Sequence, residues 1–144
     1  MGVYTRFKRS PEGFRALVAL LETTPLERRQ KMIEVGMAED ADFTRRALEL
    51  VMTFEDITRM SDSELAELVA AAPPRITACA ISNAGEEIQT RFLRCAKTKV
   101  LAGIREAMQT KVSLKEIGGA RLKLIEHARK LEKQGFIRVK RIPV

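Results

Sequence analysis

Apolar side chains in this chain recur at spacings of three and four residues, in short runs that each follow a helix-start signal. Ser61 and Ser113 are each followed three residues later by a glutamate, the capping-box arrangement of a helix N-terminus. Thr24, placed before a proline, predicts another capping box, and Asn83 predicts a further cap. The pattern therefore predicts a succession of short, separately capped helices.

Helix-stop signals separate these runs. The pair Pro73-Pro74 ends one helix because neither ring nitrogen carries a hydrogen to donate, and Gly135 predicts a left-handed cap after the last helix. A break is expected near residues 96–98, and residues 136–139 favour an extended tail. We find no alternating strand pattern of useful length elsewhere. The sequence predicts an all-α protein of seven or eight short helices, stacked in the manner of helical repeats.

Apolar stripes identify the expected core. Cys79 and Cys95 are expected to be buried structural thiols, since neither has a second ligand at metal-binding spacing. The single histidine, His127, is expected to be solvated or packed. Four phenylalanines on apolar stripes are expected inside, at positions 14, 43, 54 and 92. The longest stripe falls on the last helix and comprises Ile117, Ala120, Leu124, Ile125, Ala128 and Leu131.

The net charge of +7 comes from the C-terminal part of the chain. Residues 109–144 carry ten Lys or Arg against three Asp or Glu, whereas residues 1–50 and 51–108 are nearly balanced. Such a basic end can attract acidic protein surfaces, nucleic acid or anionic lipid. An aromatic content of 5%, without tryptophan, is low for a surface that stacks on bases, so nucleic acid is not the expected partner.

Signatures of enzyme chemistry are absent from the sequence. Gly118-Gly119 lacks the lysine and the strand of a phosphate loop, and one histidine supports no Ser/His/Asp set. The acidic pairs Glu55-Asp56 and Glu86-Glu87 suit helix N-termini, where they complement the helix dipole. No cofactor, metal or small-molecule substrate is expected, and no apolar run approaches the roughly 18 residues of a membrane span. The expectation is a cytoplasmic, non-enzymatic interaction protein.

Several segments occur in the order and near the spacing of one protein family. They are FEDI (54–57), SDSEL (61–65), AISNAGEEI (80–88), FLRCAKTKV (92–100), SLKEI (113–117) and ARKLEKQGFI (128–137). Together they resemble the C-terminal part of the flagellar motor switch protein FliG family, over about residues 53–139. Upstream, residues 36–57 are similar to the stretch that closes the family's armadillo-like module. The resemblance implies an armadillo-like, superhelical stack of short helices followed by a compact helical C-terminal unit.

The resemblance also implies a division of the chain. An N-terminal tail spans 1–10, an armadillo-like module 11–50, a hinge 51–54, and a C-terminal unit with a basic tail 55–144. The family has a Met-Phe-x-Phe joint at the hinge, where this chain has Val51, Met52, Thr53 and Phe54. The chain is then either a fragment of a longer family member or a compact single-module relative.

The function implied by the resemblance is that of a non-enzymatic rotor component at the cytoplasmic face of the inner membrane, in the basal body of the bacterial flagellum. Its partners would be the stator's cytoplasmic loop (MotA-like) and other switch-complex proteins (FliM-like), with self-association through stacked modules. Torque or switching motion would pass through charged residues on one helix. The implied partner-facing charges are Lys99 and Glu106, which keep the family's signs, with Arg105, Lys97 and Lys111 beside them.

Other charges of the family's torque surface are missing, and this keeps alternatives open. Ser82 and Ser113 stand at or near basic positions of the family, and Ala107 at an acidic one. Residues 88–106 are therefore also interpretable as a solvated helix face. The chain could equally be a divergent paralogue that acts as a scaffold or adaptor in another assembly. A nucleic-acid binder using the ten basic residues of 109–144 is a further alternative, weakened because those residues span the full helix circumference.

Overall fold

The structure is a computed structural model that describes Phe7 and residues 11–140. The rest of the predicted N-terminal tail and the last four residues of the basic tail lie outside the described part. Between Pro11 and Lys133 the chain forms nine α-helices and no strand, which confirms the all-α prediction. The helices are α1 (Pro11–Thr23), α2 (Leu26–Glu39), α3 (Ala41–Leu50), α4 (Phe54–Thr58), α5 (Asp62–Ala71), α6 (Pro74–Ile81), α7 (Glu86–Arg94), α8 (Thr98–Ala107) and α9 (Leu114–Lys133).

The count exceeds the prediction because a five-residue helix, α4, forms just after the predicted joint, in a stretch to which the sequence pattern assigned no helix of its own. Thr53 caps this helix, since its hydroxyl accepts from the Asp56 amide at 3.2 Å while the Asp56 carboxylate accepts from the Thr53 amide at 2.8 Å. The predicted break near 96–98 is confirmed between α7 and α8.

Two of the four predicted side-chain caps are confirmed. The Ser61 and Ser113 hydroxyls accept from the amides of Glu64 and Glu116 at 3.2 and 3.1 Å, so both capping boxes form. The predicted cap at Thr24 is wrong: α2 begins after Pro25 with no side-chain cap, because the Thr24 hydroxyl donates back to the carbonyl of residue 20 at the end of α1.

The cap predicted at Asn83 is also wrong. Gly85 occupies the N-cap position of α7 and offers no side chain, while the side-chain oxygen Oδ1 of Asn83 accepts from Arg121 Nη2 at 2.8 Å. At the other end of the chain, Gly135 has φ of +87°, as expected for the left-handed cap that ends α9. The extended segment predicted at 136–139 contains no strand.

The chain divides into two compact units, which we call unit 1 (1–52 with 140–144) and unit 2 (53–139). Helices α1, α2 and α3 form the described part of unit 1. Its core is built from apolar side chains of α1 and α3, where the rings of Phe14 and Phe43 meet edge to face at 5.6 Å. The buried members are Leu17, Val18, Leu21, Phe43, Ala47 and Val51.

Unit 2 is organised around the long helix α9. This helix packs mainly on α6, with further contacts to α5 and α4, and α8 also packs on α6. All six residues of the stripe predicted on α9 are buried. No helix in the described part of either unit is long and apolar enough to cross a membrane.

Candidate functional site

Helix α8 carries most of the charges that the sequence indicated as partner-facing. This helix packs closely on the rest of unit 2. Ile104 is fully buried, and a Cβ at Gly103 would lie only 3.0 Å from Cβ of Pro74 on α6. Glycine at this position lets the two helix backbones approach closely. Lys99 and Glu106 remain exposed on α8, four residues before and three residues after Gly103, and so lie beside that close contact on the helix surface.

The five predicted charges are all exposed, and none has an ion-pair partner within the described residues. Lys99 and Glu106 are seven residues apart, so they lie about two turns and about 10 Å apart along one face of α8. Lys97 is the N-cap of the helix, Arg105 lies one residue before Glu106, and Lys111 lies in the connection to α9. The structure therefore presents both signs of charge on one helix and its two ends.

Next to Glu106 lies an open groove of about 770 Å³ between α6, α8 and the first turns of α9. Its floor is mostly apolar and includes Met108, Val112 and Ala120, and its charged rim residues come from all three helices. Those rim residues are Arg75, Glu106, Glu116 and Lys123. The charged face is thus continuous with a concave surface that an apolar side chain of a partner could enter.

Cys79 and Ser82 line this groove. Cys79 and Cys95 are both free thiols, as predicted, but the prediction that they are buried is wrong, because each is only half-buried. Burial raises the pKa of both thiols, and the nearby Glu116 carboxylate raises that of Cys79 further. A raised pKa disfavours the nucleophilic thiolate. The Ser82 hydroxyl donates to the Cys79 carbonyl at 2.8 Å and is therefore occupied within its own helix.

Other charged residues near the surface make contacts within unit 2 that stabilise the fold, and local sequence patterns do not predict these contacts. Arg91, grouped with the charged segment 88–106 from sequence, donates to the carbonyls of Thr58 and Met60 and pairs with Asp62 at 3.0 Å. It ties α7 to the α4–α5 connection. Its partners lie about thirty residues away in sequence, beyond the range of any helix pattern.

The basic residues of 109–144 are also partly engaged. Arg121 donates to the carbonyl of Ala80 at 3.0 Å and lies over the ring of Phe54, 4.2 Å from its centroid. Arg129 pairs with Glu132 at 2.6 Å. His127 is half-buried, and burial lowers its pKa, which favours the neutral imidazole. The described residues contain no group of His, Cys, Asp and Glu that could hold a metal ion.

The four predicted hinge residues are divided between the two units. Val51 and Met52 are buried in unit 1. Thr53 is the exposed N-cap of α4 in unit 2, and the Phe54 ring stacks on Phe92 with centroids 6.2 Å apart. The boundary between the units therefore falls within the four-residue segment.

Comparisons with known proteins agree with one family. A sequence model of the FliG C-terminal domain matches residues 37–139, more than half of the chain. The flagellar motor switch protein FliG of Aquifex aeolicus (strain VF5) is 27% identical over 130 residues, which cover 89% of this chain and 40% of that protein.

Solved structures of FliG share the fold. Two crystal structures of FliG fragments from H. pylori superpose with TM-scores of 0.65 and 0.59 at 20% identity, covering 87% and 88% of this chain and 60% and 56% of theirs. Full-length FliG from Aquifex aeolicus gives a TM-score of 0.55 at 26% identity, over 88% of this chain and 40% of that one. The chain thus spans less than two thirds of the length of each of these relatives. On the strength of the match over 37–139, the chain belongs to the FliG C-terminal domain family.

Proposed function

We propose that this chain is a non-enzymatic rotor or switch component of the bacterial flagellar motor, located at the cytoplasmic face of the inner membrane. Its membership of the FliG C-terminal domain family and its similarity to a protein named as a flagellar motor switch protein support this assignment. The partners we propose are the cytoplasmic loop of the stator and the other proteins of the switch complex.

The observation that carries the proposal is the exposed pair Lys99 and Glu106 on α8, a helix whose Ile104 is buried and whose Gly103 packs closely on Pro74 of α6. A rigid helix presents the two charges at a constant separation, and a force applied to either charge is transmitted to the packed unit behind it. Lys97, Arg105 and Lys111 extend the charged face at its margins.

Exposed charges suit a contact that is made and broken repeatedly. An exposed ion pair contributes only about 0.2–1 kcal/mol, so a few pairs give weak affinity. Complementary charge still orients the partner and raises the association rate. The contact would therefore be fast, reversible and sensitive to salt.

The second part of the proposal is that residues 51–54 form a hinge through which unit 2 changes its orientation. Hinges are short segments that absorb backbone rotation while the elements on either side stay packed. Here Val51 and Met52 are packed in unit 1, and Phe54 is packed in unit 2, so the segment links the two cores. The chain crosses between the units a second time at 139–140, and that connection would have to follow any rotation at 51–54.

Charge reversal tests the partner surface. We expect the double variant Lys99→Glu with Glu106→Lys, which keeps the net charge, to reduce swimming and binding to the stator loop while helicity by circular dichroism stays constant. A matched control exchanges Glu126 and Lys130, which are exposed on α9 and do not line the groove. Unchanged swimming and unchanged binding in the α8 variant would refute the proposal.

A scaffold or adaptor in another assembly is the second candidate. The uncharged Ser82 and Ala107 in the groove favour it, because that surface then has fewer charges than a torque-bearing contact calls for. Normal swimming after deletion of the gene in a flagellated host would select this candidate.

A further inference from the structure

Phe136, in the turn after α9, carries an aromatic ring that the fold leaves in contact with water. The residue is 59% exposed, although the backbone around it is fixed. Phe136 N donates to the Leu131 carbonyl at 2.9 Å, and Gly135 N donates to the Glu132 carbonyl at 3.1 Å. These two bonds form the Schellman cap, in which the residue after the glycine frequently packs back on the helix. Here that residue stays exposed.

The chain that follows Phe136 is held as firmly. Ile137 is only 5% exposed, and the amide of Arg138 donates to Glu64 Oε2 at 2.8 Å. The ring is therefore presented at the surface by an ordered turn. A single exposed apolar residue is common on protein surfaces, so the charges around this ring decide what it can bind.

Two basic side chains flank the ring. Lys133 lies three residues before Phe136 and Arg138 two residues after it, and both are exposed. Neither forms an ion pair among the described residues. We call Lys133, Phe136 and Arg138 the basic turn. Glu64 leaves one negative charge beside this turn, because its carboxylate accepts from the Arg138 amide.

Lysines continue the positive charge along the exposed face of α9. The four lysines on this face are Lys115, Lys123, Lys130 and Lys133. At 3.6 residues per turn they fall within about 80° of one another around the helix, over a length of about 27 Å. Two exposed glutamates, Glu116 and Glu126, offset part of this charge, and the face with Arg138 remains positive.

The arginines of α9 do not belong to this face. Arg121 contacts Ala80 and Phe54, and Arg129 pairs with Glu132, so both are engaged within unit 2. The structure thus separates basic residues that the sequence distributes around the whole helix. Arginine has a planar fork that matches single phosphates and base edges, whereas lysine is a point charge without a fixed partner geometry. A face of lysines therefore suits a diffuse anionic surface.

We propose that unit 2 binds an anionic lipid surface through the basic turn. The ring of Phe136 enters the boundary between headgroups and acyl chains, while Lys133, Arg138 and the lysines of α9 lie against the headgroups. Basic side chains beside an exposed aromatic ring are typical of segments that lie on a membrane, and Lys and Arg are attracted to the negative potential of anionic lipid. Binding is weak and reversible, because only one apolar side chain enters the lipid. It does not depend on the partner contact proposed for α8.

Fluorescence of Phe136→Trp tests the insertion, since the chain contains no other tryptophan. Vesicles of phosphatidylglycerol and phosphatidylcholine in equal amounts should shift the emission to shorter wavelength, and added salt should reverse the shift. Vesicles of phosphatidylcholine alone should cause no shift. Leu26→Trp is the control, because Leu26 is 76% exposed on α2 and should give no shift with either vesicle.

Co-sedimentation of the whole chain with the anionic vesicles tests the charges. We expect the double variant Lys133→Gln with Arg138→Gln to lower the partition coefficient about 10- to 30-fold, at roughly fivefold for each basic residue. Phe136→Ala should lower it about tenfold, because the exposed part of the ring no longer leaves water. Circular dichroism should show the same helicity in both variants.

Helix α2 offers a control with the same residue types. Arg28 and Lys31 are exposed there beside Leu26, but the exposed Glu27 and Glu34 cancel their charge. The double variant Arg28→Gln with Lys31→Gln removes as much charge as the test variant and should lower the partition coefficient by less than about threefold. Leu26→Ala should leave it unchanged.

Each result supports or overturns the proposal. Loss of binding in the basic-turn variants, together with the blue shift of Phe136→Trp, supports it. The absence of wild-type binding to anionic vesicles at low salt overturns it, and so does an equal loss in the α2 variant. Binding without a blue shift overturns the insertion of the ring. Tighter binding to a short DNA duplex through Lys133 and Arg138 would assign the surface to nucleic acid and overturn the lipid assignment.

Discussion

Thr77 on α6 offers a direct test of the packing of unit 2. Its side chain is fully buried, yet its hydroxyl has no hydrogen-bond partner within the described residues. Replacement by valine keeps the branched shape and exchanges the hydroxyl for a methyl group. We therefore expect Thr77→Val to raise the free energy of unfolding.

The magnitude follows from two contributions. A hydroxyl buried without a partner costs about 1–3 kcal/mol in proteins, and the helix propensities of threonine and valine are nearly equal. The valine methyl must fit the space of an oxygen, and this offsets part of the gain. We expect a net stabilisation of about 1 kcal/mol.

Urea denaturation followed by circular dichroism measures this change, with hydrogen exchange of the α6 amides to place it in unit 2. Thr90→Val is the matched control, since Thr90 is exposed on α7, and it should change stability by less than about 0.5 kcal/mol. A loss of about 1 kcal/mol or more in Thr77→Val would show that the hydroxyl makes a hydrogen bond, and the reasoning would be refuted.

Three further changes have expected outcomes. A backbone hydrogen bond from Arg138 at 2.8 Å lowers the pKa of the Glu64 carboxyl. The ionised carboxylate therefore stabilises unit 2 above the ordinary pKa of 4.5, and this stabilisation is lost as the pH falls through the lowered pKa. In Glu64→Gln the free energy of unfolding should depend less on pH in this acid range, and an unchanged slope would contradict the prediction. Gly135→Ala should lower the free energy of unfolding by about 1 kcal/mol in urea titration, because φ of +87° strains an L-residue although space is open around it; an equally stable variant would exclude the left-handed cap. Arg91→Lys should lower the free energy of unfolding by about 1–3 kcal/mol, measured by thermal denaturation, because an ammonium group cannot replace the contacts of the guanidinium group to two carbonyls and Asp62. Arg94→Lys is the control, since Arg94 also pairs with Asp62 but is more exposed than Arg91.

Local sequence patterns correctly predicted those helix ends whose capping residues lie close together in the sequence. The capping boxes at Ser61 and Ser113 and the cap at Gly135 each involve residues within five positions of one another. The prediction at Thr24 was wrong because the preceding helix offers its hydroxyl a carbonyl first. The Thr53-x-x-Asp56 pattern is also a local signal, and it is sufficient to predict the start of α4.

Long-range contacts decide the remaining differences. The local sequence around Asn83 does not indicate that its side chain binds Arg121 instead of capping α7, because Arg121 lies 38 residues further along the chain. Glu22 gave no signal either, since a buried carboxylate that holds a distant amide looks in sequence like any charge near a helix end. The exposure of the charges on α8 could be predicted because they lie opposite its apolar stripe, whereas the groove beside them needs three helices to be in place.

The return of the chain to unit 1 has a consequence for the order of events during synthesis. Val51 leaves the ribosome early, but Lys140, whose ammonium group contacts the Val51 carbonyl, follows only after the whole of unit 2. At about 5–20 residues per second, unit 1 waits on the order of ten seconds for this contact. Unit 2 is continuous in sequence and can complete its core without that delay. The side of the joint held by Lys140 is therefore the last to close, and a nascent chain emerges with a looser joint than the finished protein.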